Sequence, residues 1–138
     1  MPVYADGSAL VRYLHRQQHA DDWQRWAAGH EPDLLVTPLS LSELRAAAAL
    51  EPADVRALAH EVAERLVVVR YFDQALHLAS MTTGVLSPFA ALHLGVAVAH
   101  PDITAVATYD TRLAQVAALH GLDIVTPGRP PNWWTPIP

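Results

Sequence analysis

A chain of 138 residues, 51% apolar and 17% charged, has the composition of a single compact domain and excludes intrinsic disorder. The absence of cysteine removes disulfides, thiolate metal sites and cysteine nucleophiles. Nine basic residues, all arginine, against fourteen acids give a net charge of −5, the wrong sign for coating nucleic acid by charge alone.

The N-terminus "MPVYADGSAL" has neither a basic n-region nor a long apolar run, and no stretch reaches the roughly 18 apolar residues of a membrane span. A soluble, cytoplasmic protein is the expectation. In chain order, "PVYAD" reads as a first strand, followed by a helix from about Ser8 through "ALVRYLHRQQ". "DDWQRWAAG" reads as a short helix ending at Gly29, and "DLLVT" (Asp33–Thr37) as a second strand. Pro38 opens a helix through "LSLSELRAAAALE", and Pro52 opens another, "ADVRALAHEVAERL", leading into the strand "LVVVR". The helix "DQALHLASMTTG", a helix starting at Ser87, the strand "TAVATYD", the helix "TRLAQVAALHG" and a last strand, "DIVTP", complete the pattern. Five short strands separated by helices predict a parallel sheet with helices on both faces. From Pro127 on, "PGRPPNWWTPIP" holds five of the eleven prolines and reads as an extended tail. A domain over 1–127 and a tail over 128–138 are expected.

The stretch "LSPFAALHLGVAVAH" is apolar nearly all round, the mark of a helix buried in a core or interface. Ser87 caps it and Pro88 takes the first helical position. The third position favours an acidic or amide side chain, which can reach back to the cap and face the positive end of the helix dipole. That position carries Ala90.

In an open parallel sheet, ligands gather at the carboxyl ends of the strands, where strand order reverses. Asp6 closes the first strand in "VYADGSAL", Asp110 closes the fourth in "VATYDTRL", and Glu43 lies inside the helix after the second. Converging carboxylates repel unless a cation lies between them, and an all-oxygen ligand set suits Mg2+ or Mn2+. Each acid also has a plainer reading: Asp6 and Asp110 as helix caps, Glu43 on a solvated helix face.

Together, "YADGSALV", "TPLSLSELRAA", "LSPFAALHLGVA" and "VATYDTRLAQVAALHGLDIVTPG" resemble the PIN-domain family, and within it the VapC-type toxins of bacterial toxin–antitoxin pairs. The resemblance runs from about Val3 to Pro127. It implies a small three-layer α/β/α ribonuclease in which clustered acids bind Mg2+ or Mn2+ for water attack on an RNA phosphodiester. Asp6, Glu43 and Asp110 match three of the family's acids, and Ser8 matches its small hydroxyl residue. The remaining acid opens the family motif D-A-L-H-L-A, and here Ala90 replaces that aspartate. Two readings stand: a natural member that has lost an acid, or an engineered Asp→Ala change that disarms a harmful toxin. The intact cap, the proline and the three retained acids favour the second. The resemblance also implies a cognate VapB-like antitoxin, an RNA substrate and a homodimer, with no membrane partner.

His93, one turn beyond Ala90, reads as a hydrogen-bonded structural histidine rather than a metal ligand. Arg12, Arg45 and Arg112 each follow a candidate acid within six residues. They are candidates for gripping RNA phosphates, alongside Ser8, or for surface ion pairs. Trp23 and Trp26 read as packing residues. Adjacent Trp133 and Trp134 in an extended tail cannot both face one core, so one is expected against a neighbouring subunit. Two functions remain: a metal-dependent ribonuclease toxin inactivated or weakened by Ala90, and a non-catalytic PIN-fold protein binding an antitoxin or RNA. An unrelated phosphotransfer enzyme lacks a Gly-rich phosphate loop to support it.

Overall fold

Strands of two or three residues carry this sheet, and its fully buried residues lie in the three central strands while the edge pair Val67–Val68 is exposed. The structure is a computed structural model and describes residues 1–136. The strands are β1 (Val3–Ala5), β2 (Leu34–Val36), β3 (Val67–Val68), β4 (Ala105–Ala107) and β5 (Asp123–Val125). The helices are α1 (Gly7–Leu10), α2 (Ala20–His30), α3 (Pro38–Ala48), α4 (Ala53–Arg65), α5 (Asp73–Thr82), α6 (Pro88–Ala99) and α7 (Thr111–Leu119). All strand pairs are parallel and the sheet order is β3-β2-β1-β4-β5. Strand order reverses between β1 and β4, which puts the expected ligand crevice beyond Ala5 and Ala107.

Successive strand residues face opposite layers. Val3, Ala5, Leu34, Val36, Ala105 and Ala107 pack with Leu10, Trp23, Leu44 and Val62 from α1 to α4. Tyr4 and Val106 pack with Ala75, Leu94 and Leu113 from α5 to α7. The fold is therefore a three-layer α/β/α sandwich with a five-stranded parallel sheet.

Helix α6 spends its apolar surface inside this one chain. A Cβ at Gly95 would overlap the carbonyl oxygen of Ala75 and lie 3.1 Å from its carbon, so only glycine lets α5 and α6 approach this closely. Phe89 alone among the large α6 side chains stands well out, 61% exposed. No helix among the described residues is long and apolar enough to cross a membrane.

Three expectations change. The helix after β1 does not run to Gln18: α1 ends at Leu10, a 3-10 turn follows over Val11–Tyr13, and Leu14 is extended. Arg16 and His19 then take positive φ values of 72° and 64°, which no right-handed helix accommodates. Arg12 fastens this loop by donating from Nε to Ser8 O and from Nη1 to Gln18 O. The edge strand shrinks from "LVVVR" to two residues, and the others lose a residue or more at their ends.

The tail is not extended. It turns, with Asn132 at φ 57°, and sets the Trp133 and Trp134 rings perpendicular, centroids 6.1 Å apart. Gln115 Nε2 of α7 donates to Trp134 O at 2.8 Å, and Arg129 stacks on Trp133. Both tryptophans are half-buried on their own chain, so neither needs a neighbouring subunit. Positions 137 and 138 of the expected tail lie outside the described residues.

Candidate active site

Asp6 follows β1 directly and is the N-cap of α1. Its Oδ1 accepts from Ala9 N at 3.0 Å and Ser8 Oγ at 2.7 Å, and its Oδ2 accepts from Thr108 Oγ1 at 2.7 Å. The carboxyl is buried. Burial pushes its pKa above the ordinary value, against the opposing pull of His93 and of the Thr108, Ser8 and Ala9 donors. The capping reading of Asp6 is thus correct as far as it goes, yet a cap alone needs no such enclosure.

Thr108 and Ser8 tie the ends of β1 and β4 together. Asp110 N donates to Thr108 Oγ1 at 3.0 Å, and Tyr109 N donates to Ser8 Oγ at 2.8 Å. Asp110 is exposed and caps α7, its Oδ1 accepting from Leu113 N at 3.0 Å. Its backbone is fastened to the Asp6 pocket while its side chain serves the helix end.

Glu43 reaches the same edge of the sheet from α3. Thr37 caps α3 in a reciprocal arrangement with Ser40, and Pro38 starts the helix. This entry angle lays α3 across α1 closely enough that a Cβ at Gly7 would overlap Glu43 Cβ and lie 2.6 Å from Glu43 Cδ. Gly7 is the residue after Asp6, so its missing side chain lets Glu43 lie against the start of α1. The Glu43 side chain is 36% exposed, and its Oε1 pairs with His93 Nε2.

His93 is 3% exposed and spans the pocket floor from α6. Its Nδ1 lies 2.6 Å from Tyr4 Oη, which also meets Thr37 Oγ1 at 2.9 Å and Ser40 Oγ at 3.2 Å. Burial drives the Tyr4 pKa far above its usual range, so this phenol stays protonated. Ala90 stands one turn before His93 on α6, its N–H donating to Ser87 Oγ at 3.4 Å. It is 9% exposed, at the fringe of the core. The third-position geometry that favours an acid is present, and the side chain there is a methyl.

The arginines divide. Arg12 stays beside the pocket, bonded to Ser8 O with its guanidinium 4.5 Å from the Tyr109 ring centre. Arg45 does not: it pairs with Glu64 of α4 at 3.7 Å, on the surface, because its place on α3 turns it toward α4. Arg112 is exposed on the first turn of α7. Trp23 is fully buried against Tyr13 and Trp26, a core residue.

Sequence reasoning passed over Gly7, Tyr4 and Thr108, and gave His93 only a structural part. One signal was available. Thr108 stands two residues before Asp110 as Ser8 stands two after Asp6, the same hydroxyl spacing on both sides of the crevice.

The donor set has the chemistry of a hard-cation site, since every acid offers oxygen and each keeps some unfilled acceptor capacity. Its arrangement in this chain does not fit one. Glu43 is engaged by His93, Asp110 by its helix, and the fourth position is Ala90. Among the described residues no group of three or more His, Asp or Glu side chains is placed to hold a metal ion.

A doubly wound α/β domain with a buried acid at its switch point places that acid where ligands bind in such folds. The chain belongs to the PIN-domain family, whose model matches residues 3–119. Membership points to nuclease-type function, and PIN domains are generally metal-dependent nucleases. No curated protein matches the chain.

Proposed function

We propose that this chain is an RNA-cleaving PIN protein of the VapC toxin kind whose acid pocket is one carboxylate short. The supporting observation is the placement of Ala90. It shares a face of α6 with His93, the residue that reaches Glu43, and sits at a helix position built for an acid. Asp6 is buried at the end of β1, and Glu43 lies against the neighbouring Gly7. In this reading Asp6, Glu43 and Asp110 would hold Mg2+ or Mn2+ only once Glu43 left His93 and the Asp110 side chain left its helix end, and Ala90 removes a fourth carboxylate. Arg12, fixed next to Ser8, is the cation best placed to hold an RNA phosphate, with Ser8 beside it. Arg112 contributes from the exposed start of α7, and Arg45 drops out of this role.

A VapB-like antitoxin, a homodimer and a cytoplasmic setting belong to the same reading. The exposed Leu76, Met81, Val85 and Phe89 around α5 and the start of α6 offer one apolar surface for such contacts, and Leu50, Val67, Val68 and Leu119 are exposed elsewhere.

The test is Mn2+ titration by calorimetry on this chain and on Ala90→Asp, with RNA cleavage measured in parallel. Restoring the carboxylate raises affinity by about 1–3 kcal/mol, the scale of a charge-assisted interaction, and switches on cleavage. Asp6→Asn in the restored background abolishes cleavage again, since such clusters act as a unit. Absence of specific binding in both forms would remove the nuclease reading. A non-catalytic antitoxin- or RNA-binding role would then stand, favoured by the pairing of Glu43 with His93 inside the protein.

A further inference from the structure

We propose that the C-terminal tail and the open edge of β5 form a binding site for one nucleotide of a single-stranded nucleic acid, with the base flat on Trp134, its edge on the Ile124 backbone and its phosphate on Arg129. That the strand is RNA rests on the reading above; the site itself does not.

The tail leaves a cavity of about 510 Å3 against β5, with Asp123, Ile124, Thr126, Arg129, Trp133 and Trp134 in its walls. Small-ligand sites span roughly 300–1,000 Å3. Both ends of the tail are fastened, so the cavity is preformed. Tyr109 Oη donates to Pro127 O at 2.6 Å, and Gln115 Nε2 donates to Trp134 O at 2.8 Å. The cavity also adjoins the acid pocket: Thr126 Oγ1 donates to Thr108 O at 2.9 Å, and Thr108 holds Asp6.

The β4–β5 ladder fixes what the edge offers. Asp123 N donates to Thr104 O at 3.1 Å and Thr108 N donates to Val125 O at 3.2 Å, so Asp123 and Val125 turn their backbone groups to β4. Ile124, between them in parallel register, turns its N–H and C=O to the open edge. Neither group has a partner among the described residues. One donor beside one acceptor matches the Watson–Crick edge of a single base. A peptide strand adding to this edge would need a longer run of such pairs, and Pro130 and Pro131 in the facing wall have no N–H to give.

The aromatic wall fits the same guest. Trp133 and Trp134 are perpendicular with centroids 6.1 Å apart, so a planar guest lies flat on only one of them. Arg129 covers a face of Trp133, 4.8 Å from its centre, which leaves Trp134 as the freer platform. Arg129 is exposed and pairs with no carboxylate among the described residues, so its donors are open to a phosphate. Asp123 repels phosphate from its own side of the cavity and so directs the strand backbone toward Arg129. For a chain of net charge −5, stacking is the stronger means of holding a polyanion.

The experiment is binding of a mixed-sequence single-stranded RNA to the full chain in EDTA, followed by anisotropy of a label on the RNA and by 15N NMR. Without divalent metal no cleavage enters, so failure of the acid-pocket reading leaves these results untouched. The Ile124 amide and the Trp134 indole N–H should shift, and Trp134→Ala should weaken binding about 5–140-fold while Trp134→Phe keeps most of it. Arg129→Gln should flatten the slope of log affinity against log salt by about 0.7. The same sequence as a duplex, its bases stacked away, should bind far less. Equal affinity of Trp134→Ala and the parent overturns the proposal, as does equal binding of the duplex. Absence of RNA-induced shifts at Ile124 overturns it too, and shifts there with an extended Thr-Val peptide instead would assign the edge to strand addition. If Trp134→Ala fails to fold, the Ile124 and Trp134 signals of the unmodified chain decide. Equal affinity for the DNA strand of the same sequence supports the site and removes only its tie to RNA.

Discussion

Gly7→Ala tests whether the close approach of Glu43 to Gly7 is set by the approach of two backbones. A Cβ at position 7 would overlap Glu43 Cβ and lie 2.6 Å from Cδ and 2.9 Å from Cγ. Cγ and Cδ belong to a partly exposed side chain and can swing away. Cβ is fixed to α3, so the helix itself must shift. Forcing a methyl into packed structure costs about 1–3 kcal/mol. Replacing glycine by alanine in a helix returns at most about 1 kcal/mol, and less at a first-turn position. A net loss of about 1–2 kcal/mol is expected, read as a lower urea midpoint with an unchanged slope. Glu43→Ala should recover little of it, since its Cβ remains. Glu43→Gly should recover more in a double-mutant cycle, after its own glycine cost is subtracted. A Gly7→Ala variant within about 0.5 kcal/mol of the parent, or one rescued as fully by Glu43→Ala as by Glu43→Gly, would refute the backbone argument.

Gly95→Ala meets a backbone carbonyl of α5 rather than a side chain, so its loss should fall near the upper end of the range of about 1–3 kcal/mol by the same denaturation assay. Thr108→Val keeps the shape but removes the donor to Asp6 and the acceptor for Asp110 N. It should cost about 1–3 kcal/mol and raise the Asp6 pKa further, measured by carboxyl 13C titration. Because burial raises the Asp6 pKa in the folded state, its contribution to stability is complete below the unfolded value and is lost as pH rises through the folded one. Asp6→Asn should therefore gain on the parent in urea midpoint as pH rises above the ordinary carboxylate range. Glu31 is shifted the other way: burial raises its pKa, but Arg65 and Tyr13 outweigh that and leave it lowered. Its stabilisation is present above the unfolded pKa and lost as pH falls through the folded one, and Tyr13→Phe should move that loss to higher pH in an acid titration.

The succession of strands and helices was legible because Pro38, Pro52 and Ser87-Pro88 mark helix starts with backbone chemistry that tertiary contacts rarely override. The loop after α1 was not. "ALVRYLHRQQ" has helical composition, yet the chain leaves the helix after Leu10 and Arg12 holds the loop by bonding forward to Gln18 O, a contact invisible to periodicity. In the same way the placement of Asp6 and Asp110 after strands, and the cap that Asp110 gives α7, were readable. The seizure of Glu43 by His93 was not. It depends on which residues α3 and α6 bring together across the sheet edge, knowledge that only the folded arrangement of α3, α6 and β1 supplies. The tail was misread because proline suggests extension, whereas Asn132 in a left-handed conformation reverses it.

The two-sided alternation along β1 makes the pocket a matter of parity. Tyr4 is the one residue of that strand turned toward α6, and its hydroxyl meets His93 Nδ1. Displacing β1 by a single residue would exchange the faces of all three positions. The phenol would enter the layer that holds Trp23, and Val3 or Ala5, neither with a polar atom in its side chain, would stand before the imidazole. An insertion or deletion of one residue ahead of Asp6 therefore strikes the contacts of His93, the partner of Glu43, as directly as it strikes the sheet, although Glu43 lies beyond α1, α2 and β2 in the chain.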